Sequence, residues 1–207
     1  SCPTTGMNGN DTIYVAAGYT LRINGSFTFG FNQGLVMVDT ARFITTGSLS
    51  VADMKANNLD VLGGSIEVGG TFYMGNVTQT ISADVKAGGV QLGTSNVTVN
   101  GSVTSTGLVT ISYGSKIYGD VSGTVVNAGP SVTIGGSVTA SSRFSLGSSG
   151  TVTGDVTAPT TELLASGAKV NGNIIASTKL TLGSSASVGG NVDTGDLLLQ
   201  SSSATIN

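Results

Sequence analysis

Carboxylates are the side chains in this chain best suited to acid–base chemistry, because it contains no His and a single Cys, Cys2. Their arrangement is orderly. Asp84, Asp120 and Asp155 share one column with Ser102, Ser137, Asn173 and Asn191, at a constant interval that shortens by one only between Asp120 and Ser137. Paired carboxylates cleave glycosidic bonds, and rows of oxygen ligands suit Ca²⁺. If each interval is one turn of a stacked coil, successive acids lie two strand spacings apart, about 9.5 Å. That is the far end of the roughly 6.5–9.5 Å spanned by an inverting pair. No basic residue joins the column, and there is no Trp to carry a sugar ring. Calcium takes about six to eight oxygens, and the Gly-Gly-x-Gly-x-Asp nonapeptide of calcium-binding β-rolls is absent. The column therefore reads as a solvated polar ladder, with no catalytic, cofactor-binding or metal-binding residue and no enzyme activity expected.

Other chemistries lack their groups. Without His, neither a Ser-His-Asp nor a Cys-His arrangement can form, and His/Cys zinc sites go with them. No Gly-x-x-x-x-Gly-Lys-Ser/Thr phosphate loop is present. The eight Lys and Arg residues are scattered through a chain of net charge −3, so the basic stripe that nucleic acid demands is missing. No run approaches the roughly 18–20 apolar residues of a membrane span. An outward series of Thr104, Ser122, Thr139, Thr157, Ile175 and Asp193 is too mixed for an ice-binding array.

What must position such a ladder is a repeat. The motif apolar-x-Gly-x-apolar recurs at Gly101, Gly119, Gly136, Gly154, Gly172 and Gly190, and the numbering advances between them by 18, 17, 18, 18 and 18. Val99, Ile117, Ile134, Val152, Val170 and Val188 stand two before it; Val103, Val121, Val138, Val156, Ile174 and Val192 stand two after it. Ile111, Leu146, Leu164 and Leu182 form a weaker column eight before, with Leu92 displaced by one. Alternation with period two marks short strands with one buried face. One turn cannot bury that face alone, so like residues must stack turn on turn. The expected fold is all-β: a single-stranded, three-sided β-solenoid (β-helix) of about 18 residues per rung, with Gly at corners where a Cβ would clash. Gly129–Pro130 suits the absorption of the one short interval in a turn.

The regular solenoid is expected over 90–207. Residues 36–89 read as irregular rungs, with Ile23-Asn24-Gly25-Ser26-Phe27 and Val68-Gly69-Gly70-Thr71-Phe72 as further copies of the motif. Residues 1–35 read either as an N-terminal cap or as a wider, less regular part of the same core; eight of the eleven aromatics lie before residue 75. The opening Ser1-Cys2-Pro3 reads as the processed start of an exported protein. A lone exported thiol reads as awaiting a disulfide partner on another chain or another part of this one. Ala204-Thr205-Ile206-Asn207 approaches a motif glycine due at the next position, so the chain reads as cut mid-rung or as ending on an assembly edge.

The rungs Leu180-Thr-Leu-Gly-Ser-Ser-Ala-Ser-Val-Gly-Gly-Asn-Val192 and Phe144-Ser-Leu-Gly-Ser-Ser-Gly-Thr-Val-Thr-Gly-Asp-Val156 resemble bactofilins. That resemblance covers about residues 80–207 and implies a right-handed coil that polymerises end to end, without a nucleotide, into non-polar filaments. The Cys-containing, aromatic-rich start departs from the family's short disordered tails and points to a secreted look-alike. The Gly-Asn-Val and Gly-Asp-Val repeats are similar to those of large exported proteins of the mannose-sensitive pilus-biogenesis Q type, which implies an extracellular, pilus-associated role. The expectation is a structural protein of the bacterial surface: a rigid filament subunit, stalk or scaffold that self-associates or joins other filament proteins. An adhesin offering its Asn/Thr/Ser face to a glycan is the alternative, and a carbohydrate-active β-helix enzyme the third.

Overall fold

The computed structural model describes residues 9–54, 59–75, 79–93, 95–164, 166–200 and 203–207. Among them every regular element is a β-strand, and all strand pairs are parallel. Each turn of the chain lays down three short strands, as in Thr98–Val99, Val103–Ser105 and Leu108–Ile111, and the next turn stacks on it. The first face is an eleven-stranded sheet running from Thr12–Val15 to Thr205–Ile206. The second and third faces merge into a fourteen-stranded sheet, because strands such as Val138–Leu146 and Ile174–Leu182 bend across the corner between them. The fold is the expected β-solenoid, with faces of unequal length.

Register gives the coil lengths. Thr12 pairs with Gly34, Leu35 with Leu59 and Val61 with Ile81, so the first coils advance the numbering by 22, 24 and 20. From Ile81 onward the partners are Val99, Ile117, Ile134, Val152, Val170, Val188 and Ile206. These are the constant intervals of the sequence motif, shortened by one only between Ile117 and Ile134. The long coils enclose a wider bore, and large side chains fill it: Phe29, Phe43, Phe72, Met37, Met54 and Met74 are all buried there. Phe27 packs edge-on against Phe29, with ring centroids 4.8 Å apart. The narrow coils take mostly stacked Val, Ile and Leu, each worth about 1.5–3 kcal/mol when fully buried, with Phe144 buried among them. Of the eight early aromatics, Phe27, Phe29, Phe43 and Phe72 pack into the interior of the long coils, and Tyr14, Tyr19, Phe31 and Tyr73 lie exposed. Residues 12–28 already form strands of the first coil.

Two expected alignments move. Gly25 and the Gly69–Gly70 pair lie between the second and third faces, because Leu21, Phe43, Ile66, Val85 and Val103 are register partners. The regular motif glycines lie between the first and second faces. An apolar-x-Gly-x-apolar string marks any tight corner and does not say which one. The inward partner of Leu146 and Leu182 is Leu163, not Leu164, which is 47% exposed. Leu92, displaced by one in the sequence count, is in true register with Ile111.

The shifts at Leu163 and Leu92 come from one cause: the second corner alternates in length. Leu108, Val125, Arg143, Thr160, Lys179 and Asp196 are successive register partners. They follow Val103, Val121, Val138, Val156, Ile174 and Val192 by five, four, five, four, five and four residues. The longer corner is a β-bulge, in which two residues oppose one. At one of them the N–H groups of Thr178 and Lys179 both donate to the Pro159 carbonyl, at 2.9 and 3.1 Å. Later coils with the four-residue corner regain a residue at the next corner, where Leu163 to Val170 spans seven. Ala128 to Ile134 spans only six. The one short coil is therefore the one in which the Gly129–Pro130 corner supplies no compensation.

Candidate functional site

The feature repeated most faithfully lies at the first corner, where the chain leaves the first face for the second. There the backbone turns out of the sheet, and its N–H groups lose their in-sheet acceptors. The polar column replaces them. Asp84 Oδ1 accepts from the N–H of Ser102 (2.8 Å), Ser102 Oγ from Asp120 (3.1 Å), and Asp120 Oδ1 from Ser137 (2.7 Å). Ser137 Oγ accepts from Asp155 (3.1 Å), Asp155 Oδ1 from Asn173 (2.6 Å), and Asn173 Oδ1 from Asn191 (2.8 Å). Each side chain thus serves the equivalent residue one coil later. The column alternates among Asp, Ser and Asn because each is short and offers an acceptor at that reach.

The six repeat glycines lie in this ladder. A Cβ built on Gly154 would stand 2.5 Å from Ser137 Oγ and 2.8 Å from the Gly136 carbonyl carbon. At Gly190 it would stand 2.6 Å from Asn173 Oδ1, and at Gly119 2.5 Å from Ser102 Oγ. Gly101, Gly136 and Gly172 meet Asp84, Asp120 and Asp155 in the same way. The glycine vacates the volume that the acceptor of the preceding coil enters, so glycine and ladder residue form one device. Backbone bonds from Gly119 to the Gly101 carbonyl (3.2 Å), from Gly154 to Gly136 (3.0 Å) and from Gly190 to Gly172 (3.1 Å) complete the corner.

The geometry gives the column structural employment. In Asp84, Asp120 and Asp155 alike, Oδ1 is committed to a backbone donor. Asp155 Oδ1 also accepts from Asn173 Nδ2 at 3.0 Å. Among the described residues, no three His, Cys, Asp or Glu side chains gather as metal ligands, and no helix is long and apolar enough to cross a membrane. Cys2 lies outside the described residues.

A second column escaped the sequence reading. Asn96, Ser131, Ser149 and Ser185 have φ of 54–56°, and Gly114 and Gly167 hold the matching places at 67° and 74°. One residue per coil therefore turns left-handed at the third corner, a conformation that costs L-residues about 1–2 kcal/mol. Its signal was present in strings such as Gly147-Ser-Ser-Gly150 and Ser166–Gly167, but mixed residue types hid the period.

The family model described as "Bactofilin: Polymer-forming cytoskeletal" matches residues 81–174 and 131–206, together more than half of the chain. No curated protein and no solved structure matches the chain.

Proposed function

The chain belongs to the polymer-forming bactofilin family, a member where a look-alike was expected, and from that premise we propose that it is the rod-shaped subunit of a structural filament. One observation carries the reading: the Gly-plus-acceptor ladder runs unbroken from Asp84 to Asn191 across the matched region. In it, one carboxylate oxygen of each Asp and the hydroxyls of Ser102 and Ser137 serve the backbone of the next coil. A solenoid of this kind gains stiffness from every coil-to-coil hydrogen bond and interacts through its faces and ends. Electron microscopy of the purified chain over a concentration series tests it. Filaments that lengthen with concentration support the proposal; a monodisperse rod at every concentration overturns it.

The proposal extends to an exported filament at the cell surface, whose support is the hydroxyl- and amide-rich outward columns of a chain with only 9% charged residues. Protease added to intact cells tests that part: cleavage of the protein supports it, and full protection overturns it.

A further inference from the structure

The outward side of the first face carries two straight columns of side chains. One runs Tyr14, Val36, Asp60, Thr80, Thr98, Lys116, Thr133, Thr151, Lys169, Ser187 and Thr205, by strand pairing and the register of the neighbouring inward residues. The other, two residues further along, includes Leu62, Ser82, Asn100, Tyr118 and Gly135. Beside Tyr14 and Lys169 toward its two ends, the bulky and charged groups on this face come in matched places. Asp60 and Leu62 share the third coil; Lys116 and Tyr118 share the sixth. All four point to solvent, Leu62 at 61% exposure and Tyr118 at 59%. The ion pairs among the described residues join Arg42 to Glu67 and Arg143 to Glu162, on other faces, and use neither Asp60 nor Lys116.

We propose that this face binds a second copy of the chain, antiparallel and side by side, with Asp60 against Lys116 and Leu62 against Tyr118. The inference rests on the self-association reading above and adds a lateral contact to it. Symmetry selects the arrangement. A two-fold axis lying in the interface along the strands reverses the rod but sets each column against the same column of its partner. Centred between the fourth and fifth coils, it makes both the charged pair and the apolar pair twice, separated by about 14 Å of rod at three coil spacings of about 4.8 Å. The small residues Thr80, Thr98, Ser82 and Asn100 meet at the centre, where nothing bulky holds the faces apart. Val36 faces Thr133, and Tyr14 faces Thr151.

Competing arrangements fail on charge. Pairing Asp60 with Lys169 moves the axis to the sixth coil and sets Lys116 against itself. A parallel pair, whose two-fold axis runs along the rod, exchanges the columns, sets Asp60 against Leu62 and Lys116 against Tyr118, and leaves each charge level with its like on the partner. Like charges brought together in this way cost several kcal/mol in an interface.

The test uses the full chain in a Cys2→Ser background, with circular dichroism to confirm folding. Leu62→Cys and Tyr118→Cys chains are oxidised separately and as a mixture. The mixture is expected to give several-fold more disulfide-linked dimer than either chain alone. Equal yields in all three, or a dimer yield greater for Leu62→Cys alone, overturn the arrangement. A charge exchange provides the second arm. Asp60→Lys and Lys116→Asp should each lower cross-linking of the cysteine pair several-fold, and the two together in one chain should restore it; failure to restore overturns the proposal. Because cross-linking is read in solution below any filament threshold, it fails or succeeds independently of end-to-end growth. Absence of filaments with cross-linking intact would count against the filament reading alone.

Discussion

At the scale of the residue, glycine serves two separable purposes in this chain. Gly154 and its equivalents stand at ordinary φ and are needed for room, since the acceptor of the preceding coil fills the place of a Cβ. Gly167 stands at φ 74° with nothing nearer than 3.9 Å to its Cβ site, and is needed only for conformation. The two should respond differently to alanine. Gly154→Ala is expected to cost about 2–3 kcal/mol through overpacking against backbone, and Gly167→Ala about 1 kcal/mol through left-handed strain. Urea denaturation of the two variants checks the order, and a costlier Gly167→Ala would refute it. A second residue-scale prediction concerns Thr161. It is fully buried in the core column between Phe144 and Leu180, and its Oγ1 has no hydrogen-bond partner. Thr161→Val keeps the shape and removes the orphaned hydroxyl, so it should raise stability by about 1–2 kcal/mol. A lower melting temperature would mean that the hydroxyl has a partner after all.

At the scale of the element, the faces were legible in the sequence and the corners only partly so. Val99, Ile117 and Val188 announce the buried side of the first face because period-two alternation has one physical cause, a strand half in the core. The first corner was legible too, since its glycines recur at one interval. The second corner was not. Its length alternates between four and five residues, and a count made at constant spacing slides by one, which placed Leu164 in the core where Leu163 belongs. The ladder's polar column could be read as a column, but its bonds to the next coil's backbone could not, because hydrogen-bond direction is absent from spacing. This view of the corners has a test. Deleting Ser142 from a five-residue corner keeps Phe144 and Leu146 on their inward face but sets three four-residue corners side by side, so it should lower the melting temperature by several degrees and leave a cooperative transition. Deleting Ser145 from the third face moves Leu146 to the outside and disrupts the alternation that buries the face. That variant should lose its cooperative thermal transition, as followed by circular dichroism.

At the scale of the whole molecule, alternating corners make the true structural unit two coils rather than one. A bulged coil offers the flush coil beside it two N–H groups for a single carbonyl, as Thr178 and Lys179 do for Pro159, so each coil is fitted to a neighbour of the other kind. Coils of a solenoid contact only their neighbours, and stability is close to a sum over those interfaces. Removing residues 138–173 takes out one bulged and one flush coil and brings Ser137 to Ile174, a register partner of Val156 and so a member of the same inward column as Val138. The shortened rod keeps its alternation and should fold, about 9.6 Å shorter at two strand spacings. Removing residues 138–155 alone takes out fewer contacts yet sets two flush coils together, with corners of four residues at Val121–Val125 and Val156–Thr160. If interfaces alone counted, the smaller deletion would be the milder one. If the two-coil unit governs, the larger deletion should retain the higher melting temperature and the sharper transition, and solution scattering should show a rod of the predicted length. The opposite order of melting temperatures would return the repeat to a single coil and reduce the corner alternation to a local accident of sequence.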